Sequence, residues 1–292
     1  MNKIFQDLRA SVLPELANQR LDQNLAKIFN LSRRRSRRAI DEGGVYLNGK
    51  RCRTAGRNTK SGDKLRIILL DGETLIPFDP EQLIWQQDSL YLIHKRSGQY
   101  AQEALHRSRG TLPDELARHL ELPPQIAIKL RPVHRLDRDT SGLMLFCSDP
   151  EQLQRLQKHW HTCTEKKYLA VVEPAPQWDE QRIRLAISNN RDSKGCYAVS
   201  EQGRSCDTEA KVLQRHGNRA LVELIPHTGR THQLRVHLSA LGCPILGDVR
   251  YGGKPCKRMM LHAQDLRIIA PALPETHHWK ARTEEDWQWK VI

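Results

Sequence analysis

The sequence predicts an α+β protein in two parts, a small basic α/β module followed by a larger domain built on a mixed, mainly antiparallel sheet. Three observations predict it. Strand-like apolar runs at residues 90–94, 142–147, 167–172, 210–213 and 220–225 do not alternate regularly with helical segments, which argues against a doubly wound parallel sheet. Charge is concentrated near the start: residues 18–69 hold 14 Lys and Arg against 4 Asp and Glu, a local balance of +10 in a chain of net charge +13. Between the two parts lies "DGETLIPFDPEQ" (residues 71–82), whose acids and two prolines, Pro77 and Pro80, break secondary structure. The expected boundaries are 18–70 for the module, 71–87 for a linker, 88–275 for the larger domain and 276–292 for a tail containing Trp279, Trp287 and Trp289.

Composition excludes several classes. A chain of 292 residues with 38% hydrophobic content can bury a substantial core. No stretch approaches the roughly 18 apolar residues of a membrane helix, and the start "MNKIFQDLRASVLPEL" carries charges where a signal peptide is apolar. The expectation is a soluble cytoplasmic protein without membrane contact. Seven cysteines without a C-x-x-C pair read as reduced thiols. The histidine spacings His232/His237 and His159/His161 suit no metal site on one helix face, so no metal is expected. "HTGRTH" and "EGGVYLNGK" lack the pattern of a phosphate-binding P-loop, which leaves nucleotide hydrolysis unsupported.

In the module, "RLDQNLAKIFN" places Leu21, Leu25, Ile28 and Phe29 at helical spacing. "LSRRRSRRAIDEGG" then opens with Ser32 as N-cap and closes on Gly43 and Gly44. "VYLNGKRC" follows as a strand with an Asn48-Gly49 turn, and "GDKLRIIL" is another strand. The second helix carries Arg33, Arg34, Arg37 and Arg38 largely on one side, beside Lys50 and Arg51 of the turn. Such a face gains affinity from phosphates by displacing condensed counterions, so a nucleic acid is the expected partner. With "RLDxxL" and "VxLNGK" in place, residues 18–70 resemble the S-four-type (alpha-L) RNA-binding module.

The larger domain opens its chemistry at "HRLDRDTSG", which packs His134, Arg135, Asp137, Arg138 and Asp139 into six residues before the apolar run 142–147. Cations beside a carboxylate favour its ionised form, available as nucleophile or base, although the same cluster alone could be a structural ion-pair network. "PEQLQRLQKHW" and "RTHQLRVHLSAL" have helical spacing.

"HRLDRDTSGLML", "EKKYLAVV", "HTGRTHQLRVHLSALGCPILGD" and "RMMLHAQDL", in this order, resemble the sequence blocks of the RluA-type family of RNA pseudouridine synthases over about residues 88 to 270. The resemblance implies the pseudouridine synthase fold, an isomerase without metal or organic cofactor, and a structured RNA substrate, ribosomal RNA ahead of transfer RNA. It implies Asp137 as the catalytic aspartate, Tyr168 as the tyrosine on the target base and Arg230 as the arginine paired with Asp137. Arg135 matches the residue that fills the gap left by a flipped base, and His134 and Thr140 join it as substrate-binding positions. A monomer is expected. The family's Lys-Pro-x-Gly stretch is altered here: Lys95 and Gly98 remain, Arg96 replaces the proline, and 99–102 read Gln-Tyr-Ala-Gln.

The chemistry fits these residues. Conversion breaks the N1–C1′ bond of uridine, turns the freed uracil and forms a C5–C1′ bond, so the enzyme must extrude the base, supply a carboxylate and hold the ring. Whether Asp137 attacks C1′, attacks C6 or removes a proton stays open at this point. So do two other functions: a non-catalytic RNA-binding protein on the ribosome, and a hydrolase releasing uracil.

Overall fold

The computed structural model describes all residues except 1–3, 73–74, 193–194, 284–286 and 288–292. The chain divides into two units, Met1–Phe78 with Tyr100–Ala127, and Asp79–Gln99 with Ile128–Ile292.

The first unit begins with an edge strand, β1 (Ile4–Ser11), followed by α1 (Leu21–Ile28) and α2 (Arg33–Glu42). Strands β2 (Val45–Leu47), β3 (Lys50–Arg51) and β4 (Lys64–Asp71) complete a four-stranded sheet of order β1-β4-β2-β3. Leu21 and Leu25 of α1 pack with Ala39 and Ile40 of α2 on Val45, Leu65 and Ile67, so the guanidinium-rich side of α2 is left outside. Ser32 caps α2 by accepting the Arg35 N–H at 3.1 Å, and Gly43 ends it with φ 91°. Asn48 (φ 51°) and Gly49 (φ 78°) form the two-residue turn joining Leu47 to Lys50. Strand β1 has no counterpart in the sequence-based expectation, because an edge strand buried on one side at most carries no apolar run.

The same unit includes α3 (Leu112–His119) and α4 (Pro124–Ala127). Residues 100–127 therefore cluster with the N-terminal module, although their sequence position lies inside the stretch expected for the larger domain. Hydrogen bonds explain it: Ser108 N–H donates to the Glu42 carbonyl at 2.7 Å, Tyr46 Oη to the Leu105 carbonyl at 2.9 Å and Arg51 to the Ala104 carbonyl at 2.8 Å.

The second unit is a ten-stranded sheet. Its strands are β5 (Leu83–Gln87), β6 (Leu90–Lys95), β7 (Arg131–Pro132), β8 (Ser141–Cys147), β9 (Thr164–Val172), β10 (Glu180–Ile183), β11 (Thr208–His216), β12 (Arg219–Pro226), β13 (Leu261–Ile268) and β14 (His277–Lys280). The order is β10-β11-β12-β9-β13-β8-β6-β5, with β14 on β13 and β7 on β8. Every pair is antiparallel except β13 with β8, so the sheet is mixed and mainly antiparallel as the sequence predicts. Helices α5 (Pro150–His159) and α6 (Gln233–Ala240) coincide with the two helical patterns of the sequence. β5 falls inside the expected linker: Gln82 donates to the His94 carbonyl at 2.7 Å, and the chain after it pairs along β6.

The parallel crossing decides one residue type. Ala263 of β13 lies opposite Gly142 of β8, whose φ is 112°, and a Cβ at 142 would collide with the Ala263 backbone. Two residues of the tail are packed: the Trp279 ring lies 5.0 Å from that of Trp85, and Trp287 joins the core around Leu169 and Val171, while Trp289 lies outside the described residues.

Candidate active site

β8 enters the sheet through the segment 133–140, and the carbonyls of this segment are held from below. Lys95, fully buried at the end of β6, donates to the carbonyls of Arg138 and Thr140 at 2.6 Å each and of Arg96 at 3.1 Å. Ser97 Oγ donates to the Asp139 carbonyl at 2.7 Å, and Gly98 N–H to the Arg138 carbonyl at 2.8 Å. Burial pulls Lys95 down to about 7, yet three donated bonds use all three N–H groups of the ammonium form. The retained Lys95 and Gly98 thus support the loop that carries Asp137. The departure at 96 and 99 is absorbed locally: Arg96 pairs with Asp79 at 2.7 Å, and the Gln99 amide bonds to Gln82 at 2.8 and 3.0 Å.

Asp137 lines a cavity of about 340 Å³, a volume suited to a small ring. Arg135, Thr140, Tyr168 and Arg230 line it too, as do Trp160, His161, Lys166 and Leu261. His134 is stacked on Trp160 with ring centroids 4.6 Å apart, and its Nε2 accepts the Leu145 N–H at 3.1 Å. Burial pulls this imidazole down to about 3, so it stays neutral and forms a wall. Burial, helped by the charge of Asp137, pushes the Tyr168 phenol well above its ordinary value. Tyr168 meets the solvent-side chemistry as a neutral hydroxyl and flat ring.

The expected partner of Asp137 is corrected here. Arg235, on the first turn of α6, donates from NH1 to Asp137 Oδ2 at 2.9 Å, while Arg230 is exposed at the cavity edge, where its backbone N–H donates to the Gln233 side chain at 3.0 Å and its guanidinium lies beside Cys206. The reason is geometric: Arg230 precedes α6 in a turn, whereas Arg235 is buried by the helix. Burial works against its charge, but Asp248 offsets this with a two-pronged pair, Nε to Oδ2 at 2.7 Å and NH2 to Oδ1 at 2.8 Å. Asp248 is 2% exposed, and while its carbonyl accepts the Tyr251 and Gly253 N–H groups, both oxygens of its carboxylate face Arg235. Sequence reasoning missed Arg235 because "TGRTHQLR" contains two arginines five apart, and spacing alone does not say which one points inward. It missed Asp248 although the quoted block ends on it.

Two of the four histidines weighed as metal ligands have side-chain partners in this region. His237 is bonded to Thr208 and to the Leu185 carbonyl at 3.0 Å each, and His232 Nε2 lies 3.6 Å from Asp137. Burial pulls His232 down to about 4 against the pull of Asp137.

In the first unit, the arginine helix forms a second concavity, lined by Arg33, Arg34, Arg37, Arg38, Asp41 and Glu42 and, from the 100–127 segment, Arg109. The candidates divide by their partners. Arg33 and Arg37 turn towards Asp22, which is fully buried, at 3.4 and 2.7 Å. Although burial alone would raise Asp22, the guanidinium groups of Arg20, Arg37 and Arg33 hold it well below the usual carboxylate range. Arg38 pairs with Glu42 at 2.9 Å. Arg51 turns inward onto the carbonyls of Gly43 and Ala104, while Lys50 is exposed. Arg34 and Arg109 are exposed and have no anionic partner among the described residues.

Both parts have relatives of known class. A family model described as RNA pseudouridylate synthase matches residues 89–240, and an S4 domain model matches 19–65. The chain belongs to the RluA-type family of RNA pseudouridine synthases, which makes it an isomerase acting on RNA. Among its relatives, an uncharacterized RNA pseudouridine synthase of Chlorobaculum parvum is 31% identical, with 92% of each chain covered. Ribosomal large subunit pseudouridine synthase C of Haemophilus influenzae is 31% identical over 94% of this chain and 91% of its own, and synthase D of the same organism 28% identical over 96% and 92%. The structure of human RNA Pseudouridylate Synthase Domain Containing 1 superposes with a TM-score of 0.59 at 27% identity, over 72% of this chain and 86% of that one.

Proposed function

We propose that the protein isomerises one uridine of structured ribosomal RNA, flipping it into the cavity beside Asp137, while the S4-type module, within residues 18–70, anchors the RNA. The observation that carries this is the state of Asp137: its carboxylate is held through Oδ2 by a buried arginine, and it lines a ring-sized cavity that Tyr168 also lines. The reaction needs nothing from outside. The N1–C1′ bond breaks, a C5–C1′ bond forms, and the proton lost from C5 is matched by one gained at N1. Asp137 is the essential group that stabilises or attacks the sugar as N1 departs. Tyr168 supports the detached ring, Arg135 enters the gap in the RNA, and Arg230 at the opposite edge takes a phosphate. His134 and Thr140 shape the wall and floor. Ribosomal RNA is favoured over transfer RNA because relatives spanning nearly the whole chain carry ribosomal large subunit names.

Arg34 and Arg109, with Lys50 and with Arg38, whose pair with Glu42 lies at the surface, are the module's phosphate contacts in this proposal, since Arg33 and Arg37 are held by the buried Asp22 and Arg51 by backbone carbonyls.

Asp137→Asn keeps the shape and removes the charge. Pseudouridine formation is expected to fall to background while RNA affinity changes by less than about tenfold. Turnover within tenfold of the unaltered protein would remove Asp137 from the chemistry, and RNA binding without conversion in any form would leave a ribosome-associated binding protein. Mapping pseudouridines in ribosomal and transfer RNA from a strain lacking the gene identifies the substrate.

A further inference from the structure

Behind Asp137 lies a chain of groups that the reaction described above does not use. Tyr251, eight percent exposed, follows Asp248 in the short turn Val249–Tyr251. Its Oη accepts the backbone N–H of Tyr197 at 3.0 Å and lies 2.7 Å from His232 Nδ1. With the first contact accepting, the phenol's own proton is free for the second; the nearby carboxylate disfavours a lone pair on the far nitrogen, so Nδ1 is assigned as the acceptor and the proton of the neutral imidazole to Nε2. That nitrogen is the one 3.6 Å from Asp137 Oδ2. The phenol thus turns an N–H, and not a lone pair, towards the carboxylate. The separation exceeds a hydrogen bond, in keeping with sites that tighten only around substrate.

Tyr251 reaches the same carboxylate by a second route. The guanidinium carbon of Arg235 lies 4.8 Å from the centre of its ring. One side chain therefore touches both groups that approach Oδ2, its face against the arginine and its hydroxyl against the histidine. Asp137 Oδ1 has no partner among the described residues. His232 also has a backbone that favours this use: its φ is 58°, uncommon outside glycine, and at the N-terminus of α6 its side chain makes no capping bond. The charged and titratable groups around the imidazole are Asp137, Arg235, Arg250 and Arg191, with Tyr197 edge-on at 5.6 Å.

We infer that Tyr251 and His232 are positioning residues of the isomerisation: together with Arg235 they hold Asp137 through Oδ2 and present Oδ1 to the substrate. The inference rests on the catalytic role proposed for Asp137. If Asp137→Asn is active, that role fails; if it is inactive and the test below goes the wrong way, only this inference fails.

The test is a double-mutant cycle on full-length protein, read as single-turnover conversion with enzyme in excess and, separately, as RNA affinity. Tyr251→Phe keeps the ring over Arg235 and removes Oη. His232→Asn tolerates the left-handed backbone but is too short to span Tyr251 and Asp137. Each is expected to slow conversion by about three- to tenfold, the worth of one neutral hydrogen bond, with RNA affinity within about twofold of wild type. The double variant should be no slower than His232→Asn, because the hydroxyl acts through the imidazole. Should His232→Asn not fold, His232→Gln replaces it under the same rule, since Tyr251→Phe loses its effect in any background without an imidazole at 232. Wild-type rates in Tyr251→Phe, losses that multiply in the double variant, or losses confined to RNA affinity would each overturn the inference.

Discussion

Replacing Arg235 by Lys tests the pairing that distinguishes this site from the sequence-based assignment. The guanidinium uses Nε and NH2 for Asp248, at 2.7 and 2.8 Å, and NH1 for Asp137, at 2.9 Å. A lysine has one nitrogen at the end of a flexible stem and cannot serve both carboxylates in this fork. If it stays with Asp248, which is 2% exposed and cannot be left unpaired, Asp137 loses one charge-assisted hydrogen bond. Such a bond is worth about 1.5 to 3 kcal/mol. At about 1.4 kcal/mol per factor of ten, conversion should slow roughly 10- to 150-fold. The C5 hydrogen leaves during the reaction, so release of tritium from RNA labelled at uridine C5 reports the rate directly. RNA affinity and urea unfolding, measured alongside, separate a lost contact from a lost fold. Arg230→Ala serves as the counterpart, expected to weaken RNA binding with single-turnover conversion at saturation little changed. Conversion within about threefold of wild type in Arg235→Lys, together with a hundredfold loss in Arg230→Ala at unchanged RNA affinity, would refute the reasoning.

Three further perturbations address the rest of the molecule. Changing Arg34, Arg38 and Arg109 together to Gln should flatten the plot of log affinity against log salt by about two to three, at roughly 0.7 to 0.9 per lost phosphate contact; an unchanged slope would place the RNA elsewhere. Gly142→Ala should cost about 2 to 4 kcal/mol in urea unfolding, because its φ of 112° and the Ala263 backbone leave no room for a Cβ. His134 is held neutral, at about 3 against an ordinary 6.5, so the unfolded chain takes up its proton first as pH falls. Its contribution to stability is intact above about pH 6.5 and is lost between there and about pH 3. His134→Phe, which keeps a ring against Trp160, should show a shallower loss of unfolding free energy from pH 6.5 to 4, and an equal slope would count against the buried neutral imidazole.

Local order in this chain is written locally. Ser32, Gly43 and the Asn48-Gly49 pair act on backbone groups within a few residues, so the cap, the helix end and the hairpin turn are legible in order along the sequence. Apolar runs such as 142–147 predict strands because every residue of β8 is buried, and the charge asymmetry predicts a polyanion partner because long-range electrostatics depend on composition more than on contacts. The order of the blocks around "HRLDRDTSG" likewise carries the family and the place of Asp137 in it. Partner choice is different, since it depends on which side chains a fold turns inward. Arg230 and Arg235 are equivalent as letters, and only the burial of α6 against the strand entrance brings the second to Asp137. Likewise Arg33, Arg34, Arg37 and Arg38 of α2 read as one basic face, yet Asp22, eleven and fifteen residues before Arg33 and Arg37, takes two of them out of that face. Residues 100–127 join the N-terminal module through bonds to Glu42, Tyr46 and Arg51, each more than fifty residues away in sequence. Contacts of that separation leave no local periodicity or capping pattern behind, so tertiary structure alone decides which cations stay exposed and which hold the Asp137 carboxylate.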